Sequence, residues 1–270
     1  VSGISLNQFY GIEKSHYAAE TAKLSLWLAE HQMNLDFKEV FGNSKPSLPI
    51  GELGNIVCEN SIKFNWDEFC KLENKTEEIF VIGNPPFKGY RARSEEQKTD
   101  VSYYLKKKSS KVDYVGLWFF KGADFISKYK KVKLSFVATN SVNQGEQVDL
   151  IWPRVFDQNI EIIFANKSFK WKNSARNNAG VTVSIIGLAL KENQFKKLLF
   201  TNDQKINVKY LNGYLLNSKN IIVKNYKKPL FNHPKINCGC ISSDNGNLIL
   251  NENDQIKIIK EHPVAKKFIK

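Results

Sequence analysis

What these 270 residues lack narrows the field first. No apolar run approaches the ~20 residues that cross a bilayer, and the N-terminus has no positive stretch followed by an apolar one. A membrane span and a secretory leader are therefore not expected. Cysteine is scarce, with only Cys58, Cys70, Cys238 and Cys240. Cys238 and Cys240 flank one glycine with His233 nearby, and no second pair stands at ligand spacing. Neither a zinc site nor a disulfide framework is expected, and the reading is a reduced, cytoplasmic, metal-free chain. Acid is also short: 27 Asp and Glu face 40 Lys and Arg, a formal net charge of +13, which asks for an anionic partner. Nucleic acid comes first and an anionic membrane surface second. There is no internal repeat and no low-complexity tract.

What is present is globular. Hydrophobic residues make up 42% and aromatics 12%, enough for a sizeable core. The run Ile79-Phe80-Val81-Ile82-Gly83 reads as a buried parallel strand, and Asn84-Pro85-Pro86-Phe87 ends it. Proline cannot donate to a ladder, and Asn84 is pushed toward an extended backbone by the proline after it. The result is a rigid loop at the carboxyl end of a central strand, where open α/β sheets bind ligands. It offers an amide side chain, a Pro85 carbonyl that no neighbouring N–H can claim, and the Phe87 ring. Two acceptors can hold both hydrogens of an exocyclic amino group, and an aromatic face can stack on a flipped-out base. An ordinary strand-ending turn fits the tetrapeptide equally well when it is taken alone.

Taken in order, residues 6–12 read as a strand ending in Gly11-Ile12-Glu13, with Ser15 capping a helix whose stripe is Ala18, Ala22, Leu26, Ala29 and Met33. Glu13 is placed to accept hydrogen bonds from a ribose, or is a solvated loop acid. Residues 55–58 form a second strand leading to Asn60, which either reads an adenine edge or caps the next turn. Residues 88–111 read as a long basic loop with Arg91 and Arg93 set for phosphate contact, or as a solvated face. Asp113 is expected to cap a helix carrying Val115, Trp118, Phe119, Ala123 and Ile126. Residues 132–138 are a strand, and the helix entered at Gly145 is expected to stop near Pro153. Residues 160–165 and 181–190 are further strands. The stretch between them reads as a basic, acid-free loop carrying Lys167, Phe169, Lys170, Trp171, Lys172 and Arg176, a mix suited to flipped-base or single-strand contact. Beyond residue 200 come short strand-like pieces at 207–216 and 220–223, turn-rich linkers and a Lys-rich helical end interrupted at His262-Pro263.

In this order Tyr10-Gly11-Ile12-Glu13, Val57-Cys58-Glu59-Asn60, Ile82-Gly83-Asn84-Pro85-Pro86-Phe87, the Phe169–Trp171 region, the run Thr139 to Gln147 and Asn212-Gly213-Tyr214-Leu215 resemble the gamma-class N6-adenine DNA methyltransferases of type IIG/IIL restriction–modification systems. The resemblance covers most of residues 5–230. It implies an α/β fold with a Rossmann-like class I methyltransferase sheet of order 3-2-1-4-5-7-6 and a C-terminal extension. It implies S-adenosylmethionine as cofactor, held by Ile12, Glu13 and Asn60, and catalysis at Asn84, Pro85, Pro86 and Phe87. Phe87 and Phe169 would stack on a flipped adenine of double-stranded DNA, and Arg91, Arg93, Lys167, Lys170, Lys172 and Arg176 would line the DNA. The glycine-rich motif that such enzymes carry on their first strand is not found, so that strand is expected to be missing. The chain is then expected to be part of a longer polypeptide with a glycine-rich motif upstream, a target-recognition domain and possibly a nuclease. Residues 1–200 would be the methyltransferase core, and 201–270 a linker and the start of target recognition. The rival classes are a catalytically inactive nucleic-acid-binding module and an RNA or protein amide methyltransferase.

Overall fold

The computed structural model describes residues 4–42, 54–70, 78–107, 110–171, 180–201, 204–224, 226, 231 and 249–269. The chain divides into two units, Val1–Asn225 and Tyr226–Lys270.

The first unit opens with β1 (Tyr10–Glu13), preceded by a 3-10 turn at Leu6–Gln8 where a strand was expected. The helix α1 (His16–Phe41) begins at Ser15, whose hydroxyl accepts from the Ala18 N–H, and ends at Gly42 with φ +77°, the left-handed stop that favours glycine. Next come β2 (Asn55–Cys58), the short α2 (Trp66–Cys70) and β3 (Ile79–Gly83). The expected loop at 88–111 instead contains α3 (Glu95–Leu105). Its start is a reciprocal capping box, Ser94 accepting from the Gln97 N–H and Gln97 from the Ser94 N–H, which outweighs the polar composition. Then come α4 (Gly116–Ile126), β4 (Val132–Thr139), α5 (Gly145–Phe156), β5 (Ile160–Lys170), β6 (Thr182–Leu190), β7 (Lys197–Thr201) and β8 (Gln204–Val208). Pro153 does not stop α5; the helix takes three more residues, because its buried face continues through Val155. β7 was not foreseen, β8 overlaps only the first two residues of the piece expected at 207–216, and residues 212–216 form a turn rather than a strand. The second unit contains α6 (Glu252–Glu261), closed at His262 before Pro263.

Two sheets result. One is the parallel pair β1-β2, and the other runs β3-β4-β6-β5-β7-β8. With β1 and β2 as second and third strands and β3, β4, β5 and β6 as fourth to seventh, both the 3-2 and the 4-5-7-6 parts of the expected order are present. β6 is antiparallel to both of its neighbours, as a strand reached by direct return from β5 must be. No described strand pairs with the remaining edge of β1 or β3, where that order places the first strand. Contrary to expectation β3 is not buried on both faces: Phe80 and Ile82, which share one face, are exposed.

The core lies around the larger sheet. α4 is apolar nearly all round, so Leu117, Phe119, Phe120, Ala123 and Ile126 are buried, while Trp118 is only partly so. Trp152 of α5 is fully buried, tilted against Phe119, with its indole N–H donating to the Val142 carbonyl. Gly213 is required by close approach, since a Cβ there would lie 2.6 Å from the Trp152 ring. By contrast α1 buries only Ala19; Ala29 and Met33 of its expected stripe are exposed.

Candidate active site

β3 delivers Asn84-Pro85-Pro86-Phe87 to the carboxyl end of the larger sheet. Pro85 is buried, Asn84 and Pro86 are exposed, and Phe87 is half-buried with its ring packed against the core. Among the described residues nothing hydrogen-bonds the Asn84 side chain or the Pro85 carbonyl. The backbone immediately after Phe87 is bolted down. Lys88 O accepts from the Tyr114 N–H at 2.8 Å, and the Tyr90 N–H donates to Asp113 Oδ1 at 3.0 Å. Asp113 Oδ2 accepts from Ser141 Oγ at 2.9 Å, tying the loop to the end of β4. The expected capping of α4 by the Asp113 side chain is therefore not found, because Tyr90 of the β3 loop takes one of its oxygens and Ser141 the other.

The ends of β1 and β2 lie side by side, with the Glu59 N–H donating to Glu13 O at 2.8 Å and Ile12 paired with Val57. The Glu13 carboxylate is exposed. Beyond the end of β2 a cavity of about 370 Å³ is lined by Glu59, Lys63, Phe64, Asn65, Glu68 and Phe69. Asn60 is half-buried and held on both sides of its amide. Its Nδ2 lies 3.1 Å from each oxygen of Asp100, and its Oδ1 accepts from the Ile62 N–H at 3.0 Å. Asp100 is fully buried and also receives the Tyr114 hydroxyl at 2.6 Å and Lys63 Nζ at 3.0 Å. Burial pushes its carboxyl up, but the bonds from Tyr114, Lys63 and Asn60 outweigh this and hold it below the usual carboxylate range. Lys121 of α4 reaches the same turn, donating to the Ile62 and Phe64 carbonyls, and burial pushes its ammonium down to about 8.

The basic residues divide. Arg91 is exposed, with its guanidinium over the Tyr90 ring. Arg93 is committed inward, donating to the Tyr90 and Ser110 carbonyls, so it is not available to a phosphate in this arrangement. The expected loop after residue 165 is strand as far as Lys170, because β5 keeps pairing with β6 beyond a bulge and sets Phe169 opposite Val183. Lys167, Phe169 and Lys170 thus stand on a strand end, with Phe169 half-buried and 6.4 Å from the Trp171 ring. Lys172 and Arg176 lie outside the described residues, as do Cys238 and Cys240. Cys58 is exposed, and Cys70 is partly buried. No helix of the described residues is long and apolar enough to cross a membrane.

Comparison with known proteins fits this architecture. The family model described as the MmeI DNA-methyltransferase domain matches residues 1–201, and the MmeI target recognition domain matches 217–270. The chain belongs to the MmeI DNA-methyltransferase family. It is 41% identical to DNA methyltransferase A of Bacillus subtilis (strain 168) over all of its own length and 31% of that protein's. Among solved structures it is similar to the type IIL restriction-modification enzyme MmeI in complex with DNA, with a TM-score of 0.88 and 31% identity over 98% of this chain and 36% of that one. The chain therefore spans about a third of the length of the relatives it matches.

Sequence reasoning overlooked Asp100, Tyr114 and Lys121, and gave Asp113 a different role. One signal was available: Asp100 lies beside Val101 and four residues before Tyr104 on the inward face of α3, an acid where a helix should be apolar.

Proposed function

We propose that this chain is the catalytic part of an S-adenosylmethionine-dependent enzyme that methylates adenine N6 in double-stranded DNA. One observation carries the reading. At the carboxyl end of β3 an exposed amide and a proline carbonyl, both without a partner among the described residues, stand beside the Phe87 ring. The cofactor fits the residues present: an exposed carboxylate at Glu13, the half-buried Asn60 amide and a cavity walled by Phe64 and Phe69 lie at the ends of two adjacent parallel strands. Glu13 would hold the ribose hydroxyls, Asn60 the adenine ring, and Ile12 the backbone between them. The cofactor, when bound, supplies an electrophilic sulfonium methyl.

Asn84 Oδ1 and the Pro85 carbonyl accept the two N6 hydrogens of the flipped base. This would draw the nitrogen lone pair out of conjugation and stabilise the positive charge that N6 would carry on taking up the methyl, until one of the held hydrogens leaves as a proton to solvent. Phe87 and Phe169 stack on the base, and Arg91, Lys167 and Lys170 face phosphates. Pro86 stiffens the loop by fixing its own φ. In the full-length protein, Asn84→Ala should abolish methyl transfer while the cofactor Kd stays within about twofold, since the amide acts on the target base and not on cofactor binding. Undiminished turnover would overturn the mechanism.

A further inference from the structure

We propose that Asp100 is a positioning residue that locks the Asn60 amide in the one orientation that accepts an adenine ring and refuses a hypoxanthine ring. The inference rests on the reading of Asn60 as the cofactor's adenine contact.

An amide can usually exchange its oxygen and nitrogen by a half-turn at little cost, and it then reads either pattern. Asn60 cannot do so. An ionised carboxylate only accepts, so the side of Asn60 that faces Asp100 must be the NH2. The Ile62 N–H only donates, so the other side must be the oxygen. A half-turn would set an oxygen against a buried carboxylate and an NH2 against an N–H. Asp100 is itself immobilised by Tyr114 Oη and Lys63 Nζ, and the neighbouring Tyr114 N–H holds Lys88 O behind Phe87. After these bonds Asn60 retains one N–H and one lone pair. Adenine presents an acceptor at N1 and a donor at N6, which that pair complements. Hypoxanthine presents the reverse, which only the forbidden orientation would meet.

The test is calorimetric titration of the full-length protein with S-adenosylhomocysteine and with S-inosylhomocysteine. The wild type should prefer the adenosyl ligand by at least about tenfold, the scale of one mismatched buried hydrogen bond pair. Asp100→Asn supplies both a donor and an acceptor, so only the Ile62 N–H still opposes the half-turn and the preference should fall several-fold. Asn60→Ala should lower the preference at least as far, and adding Asp100→Asn to it should change the ratio no further. Tyr114→Phe, which releases one bond to the carboxylate without touching Asn60, should give an intermediate ratio and decides the matter if Asp100→Asn loses its cooperative melt. Equal losses for both ligands with an unchanged ratio would make Asp100 merely structural and overturn the proposal while leaving the proposed function standing. A wild-type protein that takes up neither ligand would overturn the cofactor reading and this inference with it.

Discussion

The two halves of the candidate site are supported by different physics. The loop after β3 rests on the sheet β3-β4-β6-β5 and on α4 and α5, where Leu134, Ile162, Ile186, Leu188 and Trp152 are all sealed from solvent. The turn after β2 rests on almost none of this. Among the described residues the buried core cluster has no member before Ile62, and α1 leaves Leu24, Leu28, Leu35 and Phe37 exposed. Apart from Ile62 and the flanking Trp66, polar tethers join this turn to the rest: Asn60 and Lys63 to Asp100, and Lys121 to two backbone carbonyls. Apolar packing is non-directional and fixes position through many contacts, whereas these few bonds fix orientation. The target-base half is thus a rigid platform, and the cofactor half is a thin layer held in register by named side chains.

The largest effect that could break this comparison is in the core. Trp152→Ala removes a fully buried indole and its bond to Val142, and should cost about 3–5 kcal/mol in chemical denaturation. Leu28→Ala on α1 should stay within about 0.5 kcal/mol, since Leu28 is already 43% exposed. Comparable losses for the two variants would mean that the thin half carries a core of its own. Next in size is Lys121→Met. It strips the donor from two carbonyls but also relieves the burial that pushes the ammonium down to about 8, so the net loss should be about 1 kcal/mol. Its larger effect should be local, with amide exchange accelerated over residues 59–66 and unchanged in β4 and β6.

A smaller effect concerns acid. Asp100 ionises below its ordinary 3.8 in the folded chain, so its contribution is complete above that value. As pH falls below 3.8 the unfolded chain takes up the proton first, and the contribution drains away until the folded carboxyl is protonated as well. Denaturation midpoints measured from about pH 5 to about pH 2 should therefore fall more steeply in the wild type than in Asp100→Asn. Parallel slopes would show that the tether carries no charge-dependent stability.

The same division decides what could be read before the structure was known. Strands of the rigid half were legible because their apolar runs end abruptly: β3 at Asn84-Pro85, and β4 at Thr139, one residue beyond expectation. The exposed Asn84 came directly from proline chemistry. Elements governed by pairing or capping rather than hydrophobicity were not legible. β5 continues through Lys167 and Lys170 because β6 supplies a ladder, and composition alone does not encode the presence of a partner. α3 hides in a polar stretch because a capping box and the buried pair Asp100 and Val101, not a broad apolar face, hold it. Tethers such as Asp100 to Asn60 join residues 40 apart, and the two segments reveal nothing of each other until the chain folds.

The smallest expected effect is the most exacting test of the tether argument. Lys14 and Glu96 form an ion pair at 2.6 Å between the end of β1 and α3, so by position it too links the thin half to the platform. Both side chains are more than half exposed, where water screens the attraction and two long side chains lose freedom to make it. Lys14→Gln should therefore change stability by no more than about 0.5 kcal/mol, and raising salt should erase the difference. If breaking this pair costs more than Lys121→Met, registration of the two halves depends on their solvated rim. The division between a packed platform and a layer oriented by buried bonds would then have to be abandoned, because a solvated pair can supply neither the direction nor the permanence that the Asn60 turn requires.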